Sequence, residues 1–247
     1  MVQNNKYSKG TALFLGASYC AQEIYAPLVD QGYKVYVTTR TKKRHEILKK
    51  CGVIPLIFNG TINSKLCGII GDACIILSSI APVNGIDPFL NKLPIDQKKL
   101  IQSTQWVGYL SSTSVYGNKN GQWVFENELL YPSTIRGKER LNAEIQWLEI
   151  GAPMHIFRLA GIYGPNRNNF QKIKQNKAQN IIKEGHVTNR VHVSDVANAI
   201  LTSITNPDPY KIYNISDGNP APPQDIMSFS AHLLGLATPP LIKYEGL

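Results

Sequence analysis

The sequence is poor in acidic residues, and it contains no long apolar run. Only 17 of its 247 residues are Asp or Glu, against 26 Lys and Arg, so the formal net charge is +9. This excess admits a nucleic acid, an anionic membrane surface or a phosphate-bearing ligand as partner. The chain contains no stretch of about 18 apolar residues, which is the length that a transmembrane helix needs. The polar amino terminus lacks the apolar segment of a secretory signal, so we expect a cytoplasmic protein.

Cysteine is also scarce. The chain has four cysteines, and they form no CxxC pair and have no histidine at the spacing of a metal site. We therefore expect reduced thiols, no disulfide framework and no bound metal. A chain of 247 residues is long enough to bury a core without such cross-links.

Short apolar runs alternate with helical patterns along the chain. The runs TALFLGAS, KVYVTT, VIPLIF, ACIILSS and WVGYLSS predict buried strands. Helices are predicted between most of them, but only a short segment between VIPLIF and ACIILSS. A later helix in SDVANAILTSI is predicted to be capped by Ser194. The pattern predicts an α/β fold with a Rossmann-type, doubly wound parallel sheet. We expect one domain over residues 1–247, with a small substrate lobe built from parts of 160–247.

The first strand is followed by a turn that suits a dinucleotide. Gly16, Ser18 and Ala21 give the pattern G-x-S-x-x-A, a degraded form of G-x-G-x-x-G/A. Glycine permits the tight turn, small residues permit close approach, and the following helix offers free N–H groups to phosphates. A plain strand-to-helix turn is the alternative.

The end of the second strand favours NADP over NAD. An NAD site usually has a carboxylate here for the ribose hydroxyls. In VTTRTKKR no acidic residue occurs before Glu46, and Arg40 lies where a 2′-phosphate would bind. Lys42, Lys43 and Arg44 are assigned no role beyond a local positive field.

Four further strings carry a family resemblance. They are SSTSVYG (111–117), RLAGIYGP (158–165), RVHVSDVANAI (190–200) and YNISDGNPAP (213–222). Together they resemble atypical and extended short-chain dehydrogenase/reductases of the NAD(P)-dependent sugar epimerase/dehydratase type. The resemblance spans roughly residues 11–240 and implies a Rossmann sheet with a small carboxyl-terminal lobe that binds substrate.

The resemblance implies a reaction centre of Ser, Tyr and Lys, but this chain departs from it. Ser112 matches the family serine. None of the twelve tyrosines is followed by Lys four residues later. In YPSTIRGKER, Arg136 stands at the tyrosine position and Arg140 at the lysine position. Arginine stays protonated, so it can bind an anion or polarise a carbonyl but cannot shuttle a proton.

Other residues are alternatives for the missing phenol. Tyr116 and Tyr131 could each supply one, although packing and turn roles are the competing interpretations. Tyr163 resembles a residue that borders the nicotinamide or the substrate. The candidate catalytic residues are Ser112, Tyr116 and Arg136. The candidate cofactor-binding residues are Gly16, Ala17, Ser18, Tyr19, Cys20, Thr39, Arg40, Ser78, Ser79 and Tyr163.

Two functions remain open at this point. The first is an NADP-dependent oxidoreductase or epimerase-like enzyme that acts on a small polar or sugar-nucleotide-like substrate, with Arg136 and Arg140 as an anion-binding face. The second is a non-catalytic NADP-binding sensor or regulator. No nucleic-acid-binding motif accompanies the scattered cations, so neither nucleic acid nor membrane is expected as a partner. The family resemblance implies a homodimer.

Overall fold

Seven parallel strands form the central sheet of the protein. The computed structural model describes residues 9–244. The sheet has the order β3-β2-β1-β4-β5-β6-β10. Its strands are β1 (Gly10–Leu15), β2 (Tyr33–Thr39), β3 (Ile54–Ile57), β4 (Ala73–Ser78), β5 (Trp106–Ser112), β6 (Met154–Leu159) and β10 (Lys211–Ile215). The predicted α/β fold with a doubly wound parallel sheet is confirmed.

Helices cover both faces of this sheet. They are α1 (Tyr19–Asp30), α2 (Lys42–Lys50), α3 (Ser64–Asp72), α4 (Ile95–Gln102), α5 (Ile135–Leu148), α6 (Asn169–Lys174), α7 (Val193–Thr205) and α8 (Pro223–Leu233). A 3-10 turn, Thr113–Tyr116, follows β5. None of the helices within residues 9–244 is long and apolar enough to cross a membrane.

The continuous apolar runs arise because both sheet faces are buried. Along β1, Phe14 belongs to the core beneath α1 and α7, whereas Leu13 and Leu15 belong to the core beneath α3 and α5. Successive side chains of a strand point to opposite faces, so a strand covered on both sides has no polar alternation.

The order of the strands creates a crevice at the carboxyl edge of the sheet. From β1 the chain moves outward through β2 to β3, and then returns to β4 on the other side of β1. The connections after β1 and after β4 therefore diverge, and ligands of open α/β sheets bind at such a switch point.

Short strands and two helices of the carboxyl-terminal half stand over this crevice. The strands β7 (Gly161–Tyr163) and β9 (Arg190–His192) pair, as do β8 (Asn180–Ile182) and β11 (Leu241–Lys243). Ile173 of α6 packs with Met227 and Ala231 of α8 in a small separate core. We call these segments the upper lobe.

Two local expectations were wrong. The segment between β3 and β4 is a full helix, α3, capped by the side chain of Asn63, which accepts a hydrogen bond from the Leu66 N–H. The cap of α7 is His192 rather than Ser194, because His192 Nδ1 accepts from the Ser194 N–H at 3.3 Å. Asparagine is a favoured cap, but glycines at 68 and 71 weaken the helical signal of α3.

Candidate functional site

A cleft of about 2420 Å³ lies between the carboxyl edge of the sheet and the upper lobe. Its floor contains the start of α1 and the end of β5, which meet there because both follow strands of the same parallel sheet. Its far wall is built from residues of the upper lobe, mainly between 160 and 230. The sequence-predicted residues Ser18, Ser112 and Tyr163 all line it.

The turn after β1 is tight because of Gly16. This residue has a φ of +92°, and a Cβ there would lie 3.1 Å from both Ile80 Cγ1 and Ser79 Oγ. The Gly16 N–H donates to Thr38 Oγ1 of β2 at 2.7 Å. The backbone is thus fixed in a conformation that L side chains rarely adopt.

The beginning of α1 presents its N–H groups at this turn. Ser18 caps the helix, since its Oγ accepts from the Ala21 N–H at 3.2 Å. Tyr19 and Cys20 occupy the first helical positions, so their N–H groups have no acceptor within the helix. This is the geometry of an anion site at a helix amino terminus, and the turn fits the diphosphate of a dinucleotide. Burial raises the pKa of the Cys20 thiol to about 11.

The serines at the end of β4 have different surroundings. Ser79 lines the cleft, and its hydroxyl lies within hydrogen-bond distance of the Leu15 and Gly16 carbonyl oxygens, at 3.2 and 3.1 Å. Ser78 is fully buried, and its hydroxyl has no partner among the described residues. Only Ser79 of the two therefore faces the cleft.

Two arginines lie near this turn, one directly after β2 and one on the first turn of α2. Arg40 is exposed directly after Thr39, which is buried. Arg44 reaches back from the first turn of α2 and donates from its guanidinium to the Ala17 carbonyl oxygen. The sequence interpretation gave Arg44 no role, and this contact corrects it. Nothing local signals it, because the two residues are 27 positions apart in the chain.

Ser112 ends β5 at the floor of the cleft. It is half-buried, and its Oγ accepts from the Ser114 N–H at 3.2 Å, which starts the 3-10 turn. Its hydroxyl proton remains available to a ligand, because the hydroxyl group acts only as an acceptor in this contact. The structure therefore brings Ser112 into the position where a substrate oxygen could be bound.

Tyr116 contributes to the lining of the cleft, but its hydroxyl is bonded to two neighbouring side chains. The residue is buried, its Oη accepts from Arg158 Nη1 at 2.9 Å, and it donates to Asn214 Oδ1 at 2.7 Å. The Arg158 guanidinium also lies 5.0 Å from the centroid of the Tyr116 ring. Tyr116 would have to give up one of these contacts in order to exchange a proton with a ligand.

A buried ion pair anchors this network, and sequence reasoning missed it. Arg158 and Glu144, which are 3% and 2% exposed, approach to 2.9 Å between Nη2 and Oε2. Ser111 donates its hydroxyl to the same carboxylate. The available signal was a charged residue within the apolar run of β6, since buried charges are almost always paired.

The two arginines at the family Tyr and Lys positions separate in space. Arg140 lines the cleft and donates from Nη1 to Tyr109 Oη and to the Leu110 carbonyl, both at 3.0 Å. Arg136 is exposed on the first turn of α5, does not line the cleft and has no bonded partner among residues 9–244. The expected anion-binding face thus retains Arg140 alone.

Gly137 explains how α5 is held beside the floor. A Cβ at this position would lie 2.6 Å from the Ser114 carbonyl oxygen, so the helix can approach the 3-10 turn only with glycine there.

Tyr131, just before the helix, is 69% exposed and lies outside the cleft lining. Tyr163 lines the cleft, and its ring stands edge-on to His192 at 5.2 Å.

The wall of the cleft formed by later residues is rich in cations. Arg190 pairs with Asp217 at 3.3 Å, and Lys119 pairs with Glu128 at 3.6 Å. Two further lysines, Lys172 and Lys183, line the cleft without a carboxylate partner among the described residues. The lining also contains two carboxylates outside these pairs, but its cations outnumber its carboxylates, which favours an anionic ligand.

Comparison with solved structures places this chain in a family. No model of a protein family and no curated protein matches the chain. Among solved structures, a functionally unknown conserved protein from Silicibacter pomeroyi DSS is 38% identical, with a TM-score of 0.88 over 97% of this chain and 83% of that one. The chain belongs to the same family as that protein.

Solved structures of lower sequence identity share the fold of this chain. UDP-glucose 4-epimerase from Thermus thermophilus, solved with NAD, is 16% identical with a TM-score of 0.71 over 94% of this chain and 85% of that chain. UDP-glucuronic acid 4-epimerase from Bacillus cereus is 17% identical with a TM-score of 0.73 over 94% and 86%. The family has the fold of extended short-chain dehydrogenase/reductases, and the resemblance read from the four strings is confirmed.

Proposed function

We propose that the protein binds a nicotinamide dinucleotide across the crevice between β1 and β4. The Gly16 turn is the observation that carries this proposal. Its positive φ, the space denied to a Cβ and the free N–H groups of Tyr19 and Cys20 form a cradle for a diphosphate. The related epimerase from Thermus thermophilus was solved with NAD, which supports the same class of ligand here.

We further propose that NADP is preferred to NAD. Arg40 and Arg44 stand beside the turn, and guanidinium groups suit the 2′-phosphate that distinguishes NADP. The first carboxylate after β2 is Glu46, which bonds with Lys49 at 3.1 Å on the exposed surface of α2. Glu46 is already engaged by a neighbouring cation, and no carboxylate stands between it and the end of β2. The ribose hydroxyls of NAD therefore have no acidic partner at this strand end.

The reaction that the cleft suits best is oxidoreduction or epimerisation of a small anionic or sugar-nucleotide-like substrate. When bound, the dinucleotide supplies or accepts a hydride. The Ser112 hydroxyl can donate to the substrate oxygen, and the Arg140 guanidinium can stabilise negative charge that develops on it. Arg140 stays protonated, so the proton itself must be exchanged with solvent or with another side chain.

A non-catalytic sensor is the second candidate, and Tyr116 favours it. Tyr116, which the sequence offers as a substitute phenol, donates its hydroxyl to Asn214 and accepts from Arg158. A protein that had lost its proton shuttle would still bind the dinucleotide and could report its redox state to a partner. The homodimer implied by the family resemblance stays a prediction.

Calorimetric titration with NADP⁺, NADPH and NAD⁺ tests the binding proposal. We expect saturable binding with NADP⁺ tighter than NAD⁺, and binding of neither dinucleotide would overturn both candidates. Incubation of NADPH with small carbonyl acids and sugar nucleotides, followed by its absorbance, then separates them. Consumption of NADPH with one substrate class supports the enzyme. Binding without turnover, together with a partner whose affinity changes on reduction of the dinucleotide, supports the sensor.

A further inference from the structure

The loop after β7 lies directly against the beginning of α1. Tyr19, the first residue of α1, donates from its hydroxyl to the Pro165 carbonyl oxygen at 2.8 Å. At Gly164 a Cβ would lie only 2.6 Å from that same hydroxyl, so this close approach requires glycine. The contact joins the turn after β1 to a loop of the upper lobe that lies 146 positions later in the chain.

This loop is a tight, well-braced turn. Gly164 and Arg167 exchange backbone hydrogen bonds at 3.0 and 3.1 Å. Pro165 followed by Asn166, whose φ is +60°, is the sequence pattern of a type II turn. The side chain of Asn168 donates to the Gly164 carbonyl at 2.9 Å and also caps α6. The turn therefore holds Arg167 in a defined place.

Arg167 is positioned over the amino terminus of α1. Its guanidinium lies 5.6 Å from the centroid of the Tyr19 ring, and the residue is exposed. It has no carboxylate partner among residues 9–244, and the carboxylate of Glu23 on α1 is exposed to solvent. Beside it are the N–H groups of Tyr19 and Cys20, which the helix leaves without acceptors. The guanidinium and the helix donors thus both lie beside Tyr19, and all three residues line the cleft.

We propose that Arg167 binds the diphosphate of the dinucleotide from the side opposite α1. The inference rests on the proposed dinucleotide site and deepens it. A guanidinium can make two parallel hydrogen bonds to phosphate oxygens, while the helix N–H groups bind the others.

Arg167→Met tests the proposal, with Lys177→Met as the matched control. Lys177 is an exposed cation of the same lobe that does not line the cleft. Affinities are measured for NADP⁺ and for adenosine 2′-monophosphate, which lacks the diphosphate. We expect Arg167→Met to weaken NADP⁺ binding by about 10- to 100-fold, the loss of a charge-assisted contact. Binding of adenosine 2′-monophosphate should not change, and Lys177→Met should leave both affinities as they are.

Three results would overturn this role. Unchanged NADP⁺ affinity in Arg167→Met would do so, and so would equal weakening of both ligands, which would indicate only a long-range charge effect. If wild-type protein binds neither NADP⁺ nor NAD⁺, the proposed function itself fails. Should Arg167→Met not fold, Arg167→Lys replaces it. There we expect a smaller loss of NADP⁺ affinity, since lysine keeps the charge without the planar pair of donors.

Discussion

The two sides of the cleft floor are built in opposite ways. Around Gly16, the backbone is fixed by buried contacts, and the free N–H groups of Tyr19 and Cys20 are left for a ligand. Around Ser112, polar side chains line the cleft, but the Tyr116 hydroxyl is bonded to Asn214 and Arg158. The first side leaves backbone donors free for the proposed dinucleotide, whereas the second engages its phenol in a structural network. The two sides can therefore be probed separately.

The largest effect is expected from the buried network. Glu144→Leu leaves the buried Arg158 charge without its carboxylate partner, which typically lowers the free energy of unfolding by about 3–5 kcal/mol. Urea denaturation measures it. The double variant Glu144→Leu/Arg158→Met should recover much of the loss because no unpaired charge remains. Exposed Glu149→Gln is the control. A loss below about 1 kcal/mol would mean that the network is not the anchor of this side.

Gly16→Ala should separate ligand binding from backbone strain. Gly52→Ala is matched to it, because Gly52 also has a positive φ, +76°, but has no atom within 4 Å of an added Cβ. Both variants should lose about 1–3 kcal/mol of stability from strain. Only Gly16→Ala should also lose dinucleotide affinity, by about tenfold or more, in a calorimetric titration. Equal affinity in the two variants would contradict a ligand cradle at Gly16.

Arg140→Met probes the side of the cleft around Ser112. Removal of the guanidinium should weaken the binding of an anionic substrate or inhibitor by about tenfold, with dinucleotide affinity little changed. Lys138→Met removes one exposed charge from the same helix and is the control. Arg140→Lys should recover part of the affinity. If the two methionine variants behave alike, the half-buried Arg140 serves only to hold Tyr109 and Leu110.

Arg44→Gln sharpens the description of the dinucleotide side. We expect the ratio of NADP⁺ to NAD⁺ affinity to fall by about fivefold to tenfold, since one guanidinium is lost beside the 2′-phosphate. Lys43→Gln, a change at an exposed neighbour on α2, should leave the ratio unaltered. Parallel titrations with the two dinucleotides measure it. A ratio that stays constant in Arg44→Gln would restrict NADP selection to Arg40.

The smallest effect should come from the sheet interior, away from both sides. Burial lowers the pKa of His155, whose ring stacks on Trp106 at 5.2 Å. The unfolded chain therefore binds this proton more readily than the folded protein. Stability should fall as the pH drops below about 6.5, the ordinary pKa of histidine. His155→Phe should reduce that slope between about pH 6.5 and 5 in thermal unfolding. An unchanged slope would assign it to other groups.

Local patterns predicted most of the sheet and the turn after β1. Continuous apolar runs identify strands because both faces of this sheet are covered, and Gly16 with Ser18 marks the turn. The role of Ser18 as the cap of α1 was not predicted. The helix α3 escaped notice because its two glycines, Gly68 and Gly71, reduce the local helical preference. The cap at His192 escaped as well, since histidine is not among the favoured capping residues.

The sequence by itself determined the class of fold, the order of its first five strands and the absence of a Tyr-x-x-x-Lys pair. These properties depend on residue types at short spacing, which a single chain displays directly. Tertiary structure alone decided that Arg140 lines the cleft while Arg136 faces outward. It also decided that Arg44 contacts Ala17 and that Arg167 contacts Tyr19 at the turn after β1. Long, flexible side chains act at a distance set by how helices and loops pack, and no local pattern of residues encodes that distance.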